Sequence, residues 1–238
     1  MDKAFPLEIV KINDSAYRIE DDGVRCFLFI GSASALLVDT CRNQTGSLKA
    51  VIDSLTDKPV MLVNTHSDWD HISDNASFGP AHMHPAEMSS YVQTAKQATL
   101  MRPLWEGDLI DIGGQVFEVV LIPGHTPGSI ALLDRANKIL LTGDSISGGN
   151  PIRHVVMFGE KRNFDAFIVS LEKLLELERK NAFDTIYPSH GQFPLSADTV
   201  ESTYIAAKKF IAGELSPSEP PVQIPAKLYE YNGAAFYA

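Results

Sequence analysis

Apolar residues fall in short runs along the chain, each closed by turn-forming or polar residues. Leu7 to Ile12, Ala16 to Glu20, Arg25 to Ile30 and Ala35 to Asp39 have the length and side-chain content of successive strands, with turn signals at Asn13-Asp14 and Asp21-Asp22-Gly23. Val60 to Val63, Val119 to Ile122, Ile139 to Leu141 and Phe183 to Tyr187 are further apolar runs, each bounded by Asn, Pro or Thr and expected as a buried strand. Phe164, Phe167, Ile168, Leu171, Leu174 and Leu175 instead recur at helical spacing behind Asn163, a residue suited to capping a helix. Thr199 to Gly213 predicts another helix and Ala86 to Gln97 a weaker one. Strands followed by alternating helices and strands predict an α/β frame.

Chemistry-bearing residues stand where the apolar runs end. Directly after Val63, the segment Asn64-Thr65-His66-Ser67-Asp68-Trp69-Asp70-His71 places four potential metal ligands within six residues. A strand ends there, so alternating His and Asp side chains can converge on one point. Three later turns repeat the logic: Pro123-Gly124-His125-Thr126-Pro127-Gly128-Ser129, Thr142-Gly143-Asp144-Ser145 and Tyr187-Pro188-Ser189-His190-Gly191. A lone histidine after a strand is most often packed or solvated. Four ligand-bearing turns in order point to a metal site.

These motifs resemble those of the metallo-β-lactamase-fold superfamily of hydrolases. Its His-x-His-x-Asp-His motif is similar to His66-Ser67-Asp68-Trp69-Asp70-His71, with Asp68 where the second His is expected. Pro123 to Ser129 resembles the family's Gly-His-Thr turn, Thr142-Gly143-Asp144 its bridging-Asp turn, and Ser189-His190-Gly191 its last His; Leu36 to Cys41 resembles an early strand ending in Asp-Thr. The resemblance implies a four-layer αββα sandwich, two mixed β-sheets flanked by helices, as a single domain over residues 1–238. It also implies two divalent metal ions. His66, Asp68 and His125 would hold the first, Asp70, His71 and His190 the second, and Asp144 would bridge them. A bridging hydroxide would attack the substrate, with Asp70 orienting it as a catalytic residue.

Asp68 changes this picture, because a carboxylate in place of an imidazole adds a negative charge. Preference should move from zinc toward harder ions such as iron or manganese. Flavodiiron proteins of the same superfamily carry Glu there, and in that group the residue matching His71 is not always a ligand. The expected activity is hydrolysis of an ester, thioester, lactone or related acyl bond in a small molecule. The motif order resembles that of glyoxalase II-type and lactonase-type members. Competing readings are a di-iron redox protein acting on oxygen or a related small molecule, a single-metal site without Asp68, and a metal-binding protein without turnover.

Composition narrows the partners. The chain has 238 residues, 45% of them hydrophobic, enough for a substantial core. A net charge of −10 and the absence of a basic run argue against nucleic acid, since Lys161-Arg162 and Lys208-Lys209 are isolated pairs. No run is long enough to span a membrane, and Met1 to Pro6 lacks the character of a secretory signal, so a cytoplasmic location is expected. Cys26 is expected as a buried thiol, and Cys41 as packing or as support for the site. The loop Ser145 to His154 offers Arg153 and His154 to an anionic substrate group, while Trp69, Phe78, Met101 and Trp105 are candidates to wall an apolar pocket. His82 and His84 alternate along a strand and are expected on opposite faces. The apolar segment Ala234 to Tyr237 suits contact with the domain body or a second subunit.

Overall fold

Strand formation begins where the sequence alternates and turns tightly. In the computed structural model, which describes residues 7–43, 46–95, 97–148, 155–157, 159, 162–221 and 223–238, tertiary contacts divide the chain into two units, Met1–Val119 and Val120–Ala238. Met1 to Pro6, the Gly149 to His154 part of the expected substrate loop, and Lys161 lie outside the described residues.

The first unit opens with β1 (Glu8–Asn13), β2 (Ala16–Asp21), β3 (Val24–Ile30) and β4 (Ala35–Val38), each antiparallel to the one before. Asp22 and Gly23 both have positive φ, 48° and 84°, the backbone that a two-residue hairpin turn requires. After α1 (Leu48–Leu55) the sheet becomes parallel: β5 (Val60–Val63) lies beside β4, α2 (Trp69–Ile72) follows, and β6 (Ala81–Met83), α3 (Met88–Thr94) and β7 (Met101–Pro103) complete the order β1-β2-β3-β4-β5-β6-β7. The expected Ala86 to Gln97 helix is a 3-10 turn, Pro85–Glu87, running into the short α3. Leu28, Leu37, Ile52, Leu62 and Tyr91 are among the fully buried residues of this unit's core. Cys26 and Cys41 are buried free thiols within it, and burial, reinforced by Cys26, pushes the Cys41 thiol well above its usual pKa. Cys41 is therefore a packing residue. The hairpin β8 (Leu109–Asp111) and β9 (Val116–Leu121) carries the chain to the unit boundary.

In the second unit β10 (Ile130–Asp134) and β11 (Ile139–Gly143) are antiparallel. A two-residue strand, β12 (Val155–Val156), precedes α4 (Phe164–Arg179), β13 (Thr185–Pro188), β14 (Leu195–Ser196) and α5 (Thr199–Ile211). β13 is parallel to β11, as a helical crossover requires, and antiparallel to β14. The side chain of Asn163 accepts from the Ala166 N–H at 2.9 Å, the cap expected from sequence, worth about 1 kcal/mol. The chain ends in the hairpin β15 (Leu228–Tyr231) and β16 (Ala234–Tyr237), and β16 also lies parallel to β12. Ala234, Ala235 and Phe236 are buried, with Phe236 in the core that also holds Phe167, Leu171 and Val200. The apolar terminal segment thus packs on the body of its own unit. Lys209 bridges to Glu214 and lies over the Tyr231 ring, as a surface lysine would.

Candidate metal centre

The first unit places its candidate ligands at the C-terminal end of β5, the end where parallel α/β sheets present loops for binding. Residues Asn64, Thr65, His66, Ser67 and His71 are all buried, an unusual run of polar groups that is tolerable only with hydrogen-bond partners. Asp39, at the end of β4, supplies several. Its Oδ1 accepts from the Thr65 N–H at 2.8 Å, and its Oδ2 accepts from the Thr65 hydroxyl at 2.8 Å and lies 2.9 Å from His71 Nδ1. Because the Thr65 hydroxyl donates to Asp39, its oxygen receives Nδ1–H of His66 at 3.0 Å. One buried carboxylate therefore fixes the tautomer of both histidines and leaves Nε2 of each as the nitrogen bearing the lone pair, an arrangement that metal-binding histidines commonly use. Asp39 adopts a left-handed backbone, φ 63°, to do so.

A second network holds the other end of the segment. The His71 carbonyl receives the Thr40 N–H at 2.9 Å and the Asn64 side-chain amide at 3.0 Å, and Asn64 and Asn75 exchange further bonds, one of 2.8 Å. The His66 and His71 rings consequently lie 4.1 Å apart, centroid to centroid. Asp68 caps α2 in position only, since its side chain makes no capping bond, and its Oδ2 is 3.7 Å from His66 Nε2. Asp70 Oδ1 is 3.8 Å from His71 Nε2. Two donors on one tetrahedral ion with bonds of about 2.0–2.1 Å stand roughly 3.3–3.4 Å apart, so these pairs have near-ligand spacing without the closeness of good hydrogen bonds.

The second unit builds its part from three strand ends. His125 follows β9 on a turn anchored to α4: Ser170 Oγ donates to the Pro123 carbonyl at 2.7 Å and the Asn163 N–H to that of Gly124 at 2.9 Å. Gly124 has φ 146°, and a Cβ there would come within 2.6 Å of the Phe167 Cα, so only glycine lets the turn sit against the helix. Thr126 and Ser129 close the turn through their hydroxyls, 2.7 Å apart. His125 Nδ1–H donates to the Val156 carbonyl of β12 at 2.9 Å, which again leaves Nε2 with the lone pair. Asp144, following β11, turns Oδ2 toward His125 Nε2 at 3.7 Å and Oδ1 toward His190 Nε2 at 3.3 Å. The two oxygens of one carboxylate thus address two different imidazoles.

Of the seven expected residues, His66 and Asp68 follow β5 with Asp70 and His71 on the adjoining α2 in one unit, and His125, Asp144 and His190 follow strands in the other. Imidazole nitrogens and carboxylate oxygens without thiolate fit zinc, iron or manganese. Of the residues expected to wall a pocket, Trp69 and Trp105 are half exposed, with the Arg42 guanidinium 5.1 Å from the Trp69 ring centroid, whereas Phe78 and Met101 pack partly buried against the first unit's core. His82 Nδ1–H donates to the Leu62 carbonyl at 2.9 Å and His84 Nδ1 accepts from the Ala86 N–H, and neither is in the candidate ligand groups among the described residues. Asp39, Asn75 and Val156 are supporting residues to which the sequence assigned no role. Asp39 alone left a signal there, as an acid closing an apolar run.

A family model described as the metallo-beta-lactamase superfamily matches residues 19–190. The acyl-coenzyme A thioesterase MBLAC2 of Gallus gallus is 26% identical over 175 residues, 62% of either chain, and that of Homo sapiens 27% identical over 163 residues, 56% of either chain. The match thus spans less than two thirds of the length of these relatives. A hydroxyacylglutathione hydrolase of Thermosynechococcus vestitus is 30% identical over 118 residues, 44% of this chain and 46% of that one. Among solved structures, DIM-1 metallo-beta-lactamase gives a TM-score of 0.71 at 17% identity, covering 87% of this chain and all of that one, and a metallo-beta-lactamase from Pontibacter korlensis gives 0.70 at 18%, covering 85% and 99%. At such identities the likeness is one of fold.

Proposed function

The chain belongs to the metallo-beta-lactamase superfamily, and from that premise we propose that it is a hydrolase that cleaves an acyl bond of a small molecule at a centre of two divalent ions. In this reading His66, Asp68 and His125 would hold one ion, Asp70, His71 and His190 the other, and Asp144 would serve both. The observation that carries it is the Asp144 carboxylate, which offers separate oxygens to His125 and His190. Thioesters head the candidate substrates because two of the similar curated proteins are an acyl-coenzyme A thioesterase and a hydroxyacylglutathione hydrolase.

Bound ions would supply Lewis acidity toward the acyl carbonyl and lower the pKa of attacking water. The residues of this chain do the rest. Asp70 is partly open to solvent and would accept a hydrogen bond from the attacking hydroxide, orienting its lone pair toward the carbonyl carbon. Asp39 keeps His66 and His71 in the Nε2 lone-pair tautomer, and Val156 does the same for His125.

The test is a panel of acyl thioesters, aryl esters and lactones, assayed with protein loaded separately with zinc, iron(II) and manganese(II). Hydrolysis of at least one thioester or ester, lost in Asp70→Asn, supports the proposal. Asp68 beside His66 favours a second reading, a carboxylate-rich iron site with redox activity. Oxygen or peroxide turnover by the iron form, with no hydrolysis by any form, would select it.

A further inference from the structure

His66 is bracketed by two buried carboxylates that act in the same way. On one side, Asp39 takes both the N–H and the hydroxyl of Thr65. On the other, Glu87 takes both the N–H, at 2.9 Å, and the hydroxyl of Ser67 on a single oxygen, Oε2. Glu87 is only 1% exposed and arrives from 20 residues downstream, at the end of the 3-10 turn Pro85–Glu87. That turn is fixed in its own right by Pro85 and by His84 Nδ1, which accepts from the Ala86 N–H.

A carboxylate withdrawn from water loses most of its hydration, a cost that an apolar residue at position 87 would not carry. The bonds to Ser67 are charge-assisted and replace part of what is lost. They fall on the residue that joins His66 to Asp68. Fixing the Ser67 N–H sets the peptide plane between His66 and Ser67, and fixing its hydroxyl sets the side-chain rotamer, so the chain leaves Ser67 toward Asp68 in one direction.

We propose that Glu87 is a positioning residue for the metal centre: by gripping Ser67 it sets the backbone that presents His66 and Asp68, and its charge adds to the attraction for cations. This rests on the reading that His66 and Asp68 are metal ligands. Asp39 and Glu87 then work as a pair, one holding the residue before His66 and the other the residue after it.

The experiment measures zinc affinity of the metal-free full chain by competition with a chromophoric chelator, and records the cobalt(II) absorption spectrum, for wild type, Glu87→Ala, Glu87→Gln and His66→Ala. Glu87→Ala is expected to lose about 10–100-fold in zinc affinity with an altered cobalt spectrum, as for residues that orient metal ligands. Glu87→Gln, of the same shape but uncharged, should lose roughly 3–10-fold and decides the matter if the alanine variant does not fold. Unchanged affinity and spectrum in Glu87→Gln and Glu87→Ala, with only the melting temperature lowered, would make Glu87 merely structural and overturn the proposal. Loss of zinc in His66→Ala with none in the Glu87 variants overturns the positioning role alone, whereas zinc retained in His66→Ala overturns the ligand reading and the proposal with it.

Discussion

Asp39 contacts Thr65 and His71 directly and His66 through Thr65, so its removal frees two imidazoles to change tautomer and orientation. Asp39→Ala is expected to lower zinc affinity by about 10–100-fold, measured by chelator competition. Asp68 acts in the opposite sense. On the proposed ligand set Asp68→His exchanges a hard anionic donor for a neutral imidazole, so zinc affinity and hydrolysis with zinc should both rise while manganese retention falls, as elemental analysis and the thioester assay would show. Unchanged metal content and rate would remove Asp68 from the ligands. The candidate ligands were legible because ligand chemistry restricts residue type, and His and Asp recur where apolar runs stop. Their supports were not. The bond from Asp39 to His71 spans 32 residues, that from Glu87 to Ser67 spans 20, and the Val156 contribution is a backbone carbonyl that no side chain announces.

At the scale of elements, strands and helices with a strong pattern match their expectation closely. β5 spans Val60–Val63 as the apolar run predicts, and α4 begins at Phe164 behind its Asn163 cap. Three- and two-residue strands such as β6, β7, β12 and β14 escape a reading of periodicity, since a period of two needs more residues to declare itself. β12 matters most among these, because it carries Val156 and is held by pairing with β16. The turn bearing His125 depends on its close seat against α4, which makes Gly124 sensitive. Gly124→Ala brings a methyl within 2.5 Å of the Phe167 Cβ at a backbone of φ 146°. The variant should lose roughly 2–4 kcal/mol of stability, read by urea denaturation of the metal-free protein. A loss below about 0.5 kcal/mol would mean that the turn is not seated as described.

For the molecule as a whole, an acidic balance of 30 Asp and Glu against 20 Lys and Arg suits small substrates better than a polyanion. Among the described residues no helix is long and apolar enough to cross a membrane. Acid should weaken the fold independently of metal, because burial lowers the pKa of His82 and His84 below the usual imidazole value. A histidine whose folded pKa is depressed binds fewer protons in the native than in the unfolded chain, so stability is lost as pH falls through about 6.5 and below. Urea midpoints of the metal-free protein between pH 7.5 and 5.5 should show this decline, and His82→Gln should flatten it. The central proposal is that His66, Asp68, Asp70, His71, His125, Asp144 and His190 would hold two ions. Metal stoichiometry by elemental analysis and zinc titration, compared between wild type and Asp144→Ala, tests it most directly. Two equivalents in wild type and fewer than one in the variant, with hydrolysis abolished, is the predicted result; a single equivalent in wild type, or two retained without Asp144, would contradict it.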